Sequence, residues 1–285
     1  MLTLAVATDA ETYERMQHPL AERGIRVEHV SVEERAVPLD EPLADADVGF
    51  VFPPRLMEGG VADALLDVPW VNDREAVLRS RNKAGALARF GRADLPVPET
   101  VLVSNPADEA ALRAAFDRIG PPVVVKPNSA TRGLGVARAA DVDSFLGVAD
   151  YLGLVHEFPV TGDRSFLVQE YLPDARDYRA MVVEGECVGA VERRLPEAER
   201  AAGRWKHNVH RGAAATGVDL PPDLRALAER AADVLDVDWL GVDLLVTDDR
   251  AVVNETNARP TIDEATKYDP EFYDRLASLV RSRAP

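Results

Sequence analysis

The sequence predicts an α/β protein of the α+β kind, and three observations carry that expectation. Residues 2–7, 11–23 and 25–30 alternate strand, helix and strand, a βαβ-like start. Later apolar runs come in pairs across short turns, at 177–194 and 241–260, as antiparallel hairpins do. Helical stretches with start and stop signals separate them. At 285 residues the chain is long enough for two or three subdomains. The expected division is 1–72 as a small N-terminal α/β domain, 73–172 as linker helices and a lid subdomain carrying a glycine-rich flap, and 173–285 as a C-terminal subdomain with a candidate metal site.

In chain order, residues 2–7 form a short buried strand, and the helix at 11–23 is broken or restarted at Pro19 and stopped at Gly24. Strands follow at 25–30 and 48–52. The turn Ala7-Thr8-Asp9-Ala10 has no glycine fingerprint, which argues against a dinucleotide site there. Asn72-Asp73 can cap a helix, with Glu75 in capping-box spacing from Asn72, and the pattern runs with a break near Ser80 to Phe90. A proline-rich connector, 95–98, leads into a strand at 100–103. Ser104-Asn105-Pro106 opens a helix through Arg118, closed by Gly120. Strands at 123–126 and 136–138, a helix at 143–152 and a strand at 165–171 follow. The hairpin at 177–194 turns at Gly185-Glu186, and 195–217 is a long polar segment. Helix 221–235, hairpin 241–260 and helix 270–283 complete the chain.

Composition excludes several classes. With 49 Asp and Glu against 33 Lys and Arg, the net charge is −16, which argues against nucleic acid or an anionic membrane as partner. Only Lys83, Lys126, Lys206 and Lys267 are lysines, and an acid-rich, lysine-poor surface fits a high-salt cytosol. Cys187 is the single cysteine, so no intrachain disulfide forms and a reducing compartment is expected. No run approaches the ~18 apolar residues of a membrane span, and the opening residues lack a basic n-region. The expected location is the cytoplasm.

Hairpin 241–260 carries carboxylates inside apolar runs: Asp243 in one strand, Glu255 in the other, and Asn257 two residues on. Glu255 and Asn257 share a face by strand alternation. A three-residue loop at 248–250 pairs 247 with 251 and sets Asp243 opposite Glu255, whereas a two- or four-residue loop separates them unless a bulge intervenes. In the facing register three hard oxygen donors converge, which suits Mg²⁺ with phosphates completing its shell. The alternative is a strand pair whose acids lie at wet sheet ends.

Residues 128–135, Asn-Ser-Ala-Thr-Arg-Gly-Leu-Gly, are the second informative stretch. Glycines let backbone N–H groups approach phosphate oxygens. Neither a Walker A lysine nor a third fingerprint glycine follows, and strands on both sides make the loop a flap or an ordinary glycine hairpin. Lys126 ends an apolar strand just before it, placed to meet a phosphate or to snorkel from a strand end. In a chain that otherwise uses arginine, a retained lysine points to a compact charge. Glu170-Tyr171 leave a strand where backbone groups can meet an adenine edge and a carboxylate a ribose. His207 and His210 lack a third ligand for zinc, and no nucleophile elbow is present.

Taken in order, Arg79-Ser80-Arg81-Asn82-Lys83, Val125-Lys126-Pro127 with its loop, Val168-Gln169-Glu170-Tyr171, Asp177-Tyr178-Arg179, residues 205–212, Gly241-Val242-Asp243 and Asn254-Glu255-Thr256-Asn257 resemble the ATP-grasp superfamily, and within it the RimK-like carboxylate–amine ligases. The resemblance runs from about Val48 to Asn257. It implies an ATP-grasp fold in which two antiparallel sheets enclose ATP. Lys83 and Lys126, with Ser129, Thr131, Gly133 and Gly135 of the flap, would meet the phosphates. Glu170 and Tyr171 would line the adenine, Asp177 would help hold the nucleotide, and Lys206, His207 and Asn208 would sit near the phosphates. Asp243, Glu255 and Asn257 would hold Mg²⁺, or Mn²⁺ in its place, while Arg179 and Arg211 would steady the transferring phosphoryl group.

The implied activity is amide formation between a carboxylate, on a small molecule or a protein, and an amino acid, glutamate first, through an acyl phosphate with release of ADP and phosphate. The partners are then ATP and these substrates, with a homo-oligomer common in the branch. A phosphotransferase acting on a hydroxyl, or a nucleotide-binding module without catalysis, are the rival readings. Ala130 stands where the branch has glycine, Lys206 where it has arginine, and Ala213 breaks a glycine pair. After Asn257 the chain reads Ala-Arg-Pro-Thr-Ile-Asp-Glu instead of a Pro-Gly turn, next to where the acceptor is expected.

Overall fold

The computed structural model describes every residue except 9, 132, 156–162, 208–211 and 265–266. Strands β1 (Leu2–Val6), β2 (Ile25–His29) and β3 (Val48–Phe50) pair in parallel, in the order β2-β1-β3. Helix α1 (Ala10–Ala21) joins the first two and runs through Pro19 without breaking. Proline at 19 removes an acceptor's partner four residues back, and the carbonyl of Arg15 is instead satisfied by the Tyr273 hydroxyl at 3.0 Å. Helix α2 (Leu56–Leu66) follows β3, where sequence patterning shows no helix. Gly59 and Gly60 mask it, and the first has a packing reason: a Cβ on Gly59 would lie 2.5 Å from the Phe52 ring.

Of the expected capping pair Asn72-Asp73, Asp73 caps helix α3 (Arg74–Arg81), its carboxylate accepting from the Ala76 N–H. The buried Asn72 amide donates to the carbonyls of Trp239 and Ala258 at 2.6 and 2.7 Å, fastening the start of α3 to the C-terminal half of the chain. The break in the helical pattern falls at Asn82, which caps α4 (Lys83–Arg92) through the Gly85 N–H. Asp108, rather than residues 104–106, caps α5 (Glu109–Ile119).

Strands β4 (Thr100–Ser104), β5 (Val123–Pro127), β6 (Ala137–Ala139) and β7 (Ser165–Glu170) form an antiparallel sheet in the order β4-β7-β5-β6. Its β-branched back face, with Val123, Val125 and Val168, packs on α5 and α6 (Val142–Val155) as a separate core. Strands β8 (Arg176–Val183), β9 (Glu186–Arg194), β10 (Ala214–Val218), β11 (Trp239–Val246) and β12 (Ala251–Asn257) form the third sheet, in the order β10-β9-β8-β11-β12. Short helix α7 (Glu197–Ala201) and strand β10 occupy part of the expected polar segment. Helix α8 (Pro222–Leu235) covers the back of this sheet with Leu224, Leu227, Ala228, Ala231 and Leu235. This core is continuous with that of the N-terminal sheet, through Phe50 against Trp239 (5.2 Å) and Trp239 against Phe272 of α9 (Phe272–Arg283). Among the described residues, no helix is long and apolar enough to cross a membrane.

Two bulges set the third sheet's register. The β8–β9 hairpin turns through Glu184 and Gly185, both at positive φ, which suits a two-residue turn, one position earlier than expected. Val183 pairs with Glu186 and Val182 with Cys187, but Met181 pairs with Gly189, so Val188 is extra. In the β11–β12 hairpin Val246 pairs with Ala251, making the loop four residues rather than three. Asn254 is then skipped, and Asp243 pairs with Glu255.

Candidate active site

The inward row of the third sheet carries the charge. Arg179, Asp243 and Glu255 stand directly opposite one another across β8, β11 and β12. Asn257 lies on the same face, opposite Gly241. Without the bulge at Asn254 the four-residue loop would pair Asp243 with Asn254 and turn Glu255 to the other face. The bulge aims both Asn254 and Glu255 into a cavity of about 840 Å³ walled by the two antiparallel sheets.

Arg179 forks onto Asp243, with Nε to Oδ1 at 2.7 Å and Nη2 to Oδ2 at 2.8 Å. Arg193, across from Asp177 on β9, bonds Asp177 and reaches Asp243 Oδ2 at 3.0 Å. Two guanidinium groups and two carboxylates thus alternate in a chain, Arg179–Asp243–Arg193–Asp177. Burial alone would raise the Asp243 carboxyl, but the charges of Arg179 and Arg193 outweigh it and hold the group well below the usual carboxylate range. Asp177 moves the other way, pushed up by burial and by the Asp243 charge against the opposing pull of Arg193. Lys83, buried at the start of α4, reaches Glu255 Oε1 at 3.1 Å and donates to the Ala130 carbonyl at 2.6 Å. Lys126 ends β5 facing the cavity, its Nζ 3.2 Å from Asn254 Oδ1. Burial, helped by the Lys83 charge, pulls its ammonium down to about 8.

The flap contributes Thr131 and Gly133 to the cavity wall, while Ser129 is buried off it. Gly133 and Gly135 both take positive φ, and a Cβ on Gly135 would lie 2.7 Å from Pro127 Cγ. Glu170 lines the cavity, but its carboxylate is spoken for. Oε1 accepts from the Glu99 N–H at 2.7 Å and Oε2 pairs with Arg250, leaving backbone groups as its means of meeting a nucleotide. Tyr171 packs edge-on to Trp205 at 5.7 Å, and the Arg138 guanidinium lies over both rings, at 5.0 and 5.8 Å. Lys206 donates to the Val136 carbonyl and lies 5.6 Å from the Trp205 ring centre, and His207 donates through Nδ1 to the Arg193 carbonyl at 3.0 Å. Asn208 and Arg211 fall outside the described residues.

Residues 80–270 match the RimK-like ATP-grasp domain family. The chain belongs to that family. It is 33% identical over 201 residues to a ribosomal protein bS6–L-glutamate ligase of Shigella boydii serotype 4 (strain Sb227), covering 69% of this chain and 62% of that protein. It is 34% identical over 218 residues to a probable alpha-L-glutamate ligase of Klebsiella pneumoniae (strain 342), covering 75% and 68%. Against the first of these relatives the match thus spans about three-fifths of the relative's length. The fold is similar to that of a RimK domain ATP-grasp protein from Sphaerobacter thermophilus DSM 20745, with a TM-score of 0.71 at 22% identity over 100% of this chain and 99% of that one. It is also similar to that of a D-alanine–D-alanine ligase from Bacillus anthracis complexed with ATP, with a TM-score of 0.71 at 15% identity over 99% and 96%. These establish the ATP-grasp fold.

Within this ATP-grasp site, Asp243, Glu255 and Asn257 share one face and offer hard oxygens, as Mg²⁺ requires. Both Asp243 oxygens are engaged by arginine, Glu255 Oε1 by Lys83, and Asn257 Oδ1 by the Arg259 N–H at 2.9 Å. The donor set fits a hard dication once the Arg179 fork turns to an anion and frees Asp243 Oδ1, with Oδ2 still held by Arg193. Among the described residues, no three His, Cys, Asp or Glu side chains gather as a site, and the third donor here is an amide. Sequence reading missed Arg193, which the bulge at Val188 moves opposite Asp177; a regular ladder would set Glu192 opposite Asp177 and leave Arg193 facing Arg176. It also missed Arg138 as a partner of Tyr171. A signal existed for the latter, since Arg138 pairs with Val124 on the Lys126 face.

Proposed function

We propose that this chain is an ATP- and Mg²⁺-dependent carboxylate–amine ligase, with glutamate as the first amine to test. One observation carries the reading. Lys83, Lys126 and Arg179 converge with Asp243 and Glu255 on one cavity, a gathering of cations around carboxylates, which is what in-line transfer between two anions needs. A substrate carboxylate oxygen attacks the γ-phosphorus, the bond to the bridging oxygen breaks, and ADP leaves. The amino acid's ammonium gives a proton to solvent, the free amine attacks the acyl carbon, and phosphate leaves as the C–N bond forms and a second proton passes from nitrogen to phosphate or solvent.

Lys83 and Lys126 hold phosphate oxygens, and Arg179, freed from Asp243, steadies the negative charge that spreads over the transferring group. Asp243, Glu255 and Asn257 would hold Mg²⁺, which supplies charge neutralisation at the phosphates. Gly133 and Gly135 allow the flap to lie close over the nucleotide and keep water from the acyl phosphate. The similarity to glutamate ligases supports glutamate as the amine.

The test is incubation with ATP, Mg²⁺ and a panel of carboxylates, with and without glutamate, following ADP, AMP and phosphate. Equal ADP and phosphate, dependent on both substrates, is the expected result. AMP as product overturns the acyl-phosphate route, and ADP without phosphate means phosphate has gone to a hydroxyl acceptor. Glu255→Gln should remove turnover, at least 100-fold, with the circular dichroism spectrum of the folded protein retained. Near-normal activity in that variant would refute the metal assignment.

A further inference from the structure

Part of the cavity wall comes from the N-terminal sheet. Thr8 and Thr12 follow β1, and Pro54 follows β3, so the cavity reaches the carboxyl ends of both strands. With the order β2-β1-β3, the chain leaves β1 on one side and returns on the other, and such a switch point opens a crevice suited to ligands.

Arg81, the last residue of α3, lies on this wall. Its Nη1 donates to the Pro54 carbonyl at 3.0 Å, and among the described residues no carboxylate pairs with it. Among the other cations on the cavity wall, Arg179 and Arg193 sit on Asp243 and Lys83 on Glu255, while Lys126 meets the Asn254 amide oxygen. Glu11, the acid nearest in sequence on the same wall, is bound to Arg15 instead. Burial lowers the Arg81 pKa with no opposing cause. A guanidinium kept partly from water without a counter-ion presents an unfilled fork, and that fork matches a planar carboxylate. Arg259, from the segment after Asn257, is fastened to the carbonyls of Ala7 and Phe52 and narrows the same crevice.

We propose that Arg81 anchors a substrate carboxylate that the reaction does not consume. The substrate held there carries at least one acid group beyond any that becomes the amide, as a dicarboxylate, an acidic peptide or glutamate does. This rests on the ligase reading above. The anchored carboxylate belongs either to the acid being activated or to the amino acid being joined, and the test separates the two.

Wild-type protein, Arg81→Gln and Arg81→Lys are compared for ADP release with each substrate varied in turn. The expected result for Arg81→Gln is a KM raised about 10- to 100-fold for one carboxylate substrate, with the KM for ATP unchanged. Arg81→Lys, which keeps the charge and loses the fork, falls between. Blocking one carboxylate at a time, as the glutamate α-amide or as monoesters of the acid, identifies the source: the group whose loss harms wild type and not Arg81→Gln is the one held. KM values within twofold of wild type for both carboxylate substrates, or a rise confined to ATP, overturn the proposal.

A second measurement needs no turnover. Glutarate should raise the melting temperature of the wild-type protein at concentrations at least tenfold below those needed by either variant. Equal responses, or none in wild type, overturn the role of Arg81. If wild type releases no ADP with any substrate pair the ligase reading fails, and the glutarate comparison still decides whether Arg81 binds carboxylate.

Discussion

Lys126 ends an apolar strand with an amide oxygen as its hydrogen-bond partner, and burial pulls its ammonium down to about 8. Between about pH 8 and the unfolded value of 10.5, the unfolded chain holds more protons than the folded one, so this group's contribution to stability improves as pH rises through that window. At neutral pH the charged ammonium is a cost to the fold. Lys126→Met should therefore gain about 1–3 kcal/mol in stability by denaturant unfolding while losing ATP turnover at least 100-fold. The same shift sets a pH limit. If kcat/KM for ATP depends on the charged form, it falls above pH 8, and a flat profile to pH 9.5 counts against a phosphate role. Asp243 shows the opposite balance, because two arginines overcome its burial. That contrast was not legible in the sequence, which marks both as charged residues in apolar strands but does not say which has partners.

At the scale of elements, two single-residue bulges decide what the third sheet presents. The facing of Asp243 and Glu255 was foreseeable as a requirement, with an odd loop or a bulge as the two ways to meet it. The chain takes the bulge, and nothing in Val252-Val253-Asn254-Glu255 marks Asn254 as the skipped residue. At Val188 the same limit hid Arg193. Gly189, beside that bulge, has φ +151, and a Cβ there would lie 2.6 Å from the Lys267 carbonyl and 2.8 Å from Tyr268 Cα. Gly189→Ala should cost about 2 kcal/mol or more and lower turnover by disturbing the pairing of Arg193 with Asp177, both measurable in one purified variant. Helices α3 and α4 were legible through their caps and periodicity, with Asp73 of the Asn72-Asp73 pair taking the cap. Helix α2 was not, because the glycine that lets Phe52 pack against it also weakens its helical pattern.

At the scale of the whole molecule, the described residues gather into two apolar cores. One joins the N-terminal sheet to the five-stranded sheet, and the other lies behind the four-stranded sheet under α5 and α6. The second is the smaller and belongs to one continuous stretch of chain, so it should open on its own. Amide hydrogen exchange should show β4 to β7 exchanging together at a lower free energy than β8 and β11, with ATP narrowing the gap. Uniform exchange across both sheets would contradict this. The stretch also begins and ends at neighbouring points. Thr100 pairs with Gln169, the Glu170 N–H donates to the Glu99 carbonyl at 3.0 Å, and the Glu170 carboxylate accepts from the Glu99 N–H at 2.7 Å. Such a clasped neck is the geometry of an inserted cassette. Exchanging this stretch for a relative's should keep the melting temperature only when the contacts of Ala130 with Lys83, Lys126 with Asn254 and Val136 with Lys206 are carried over with it.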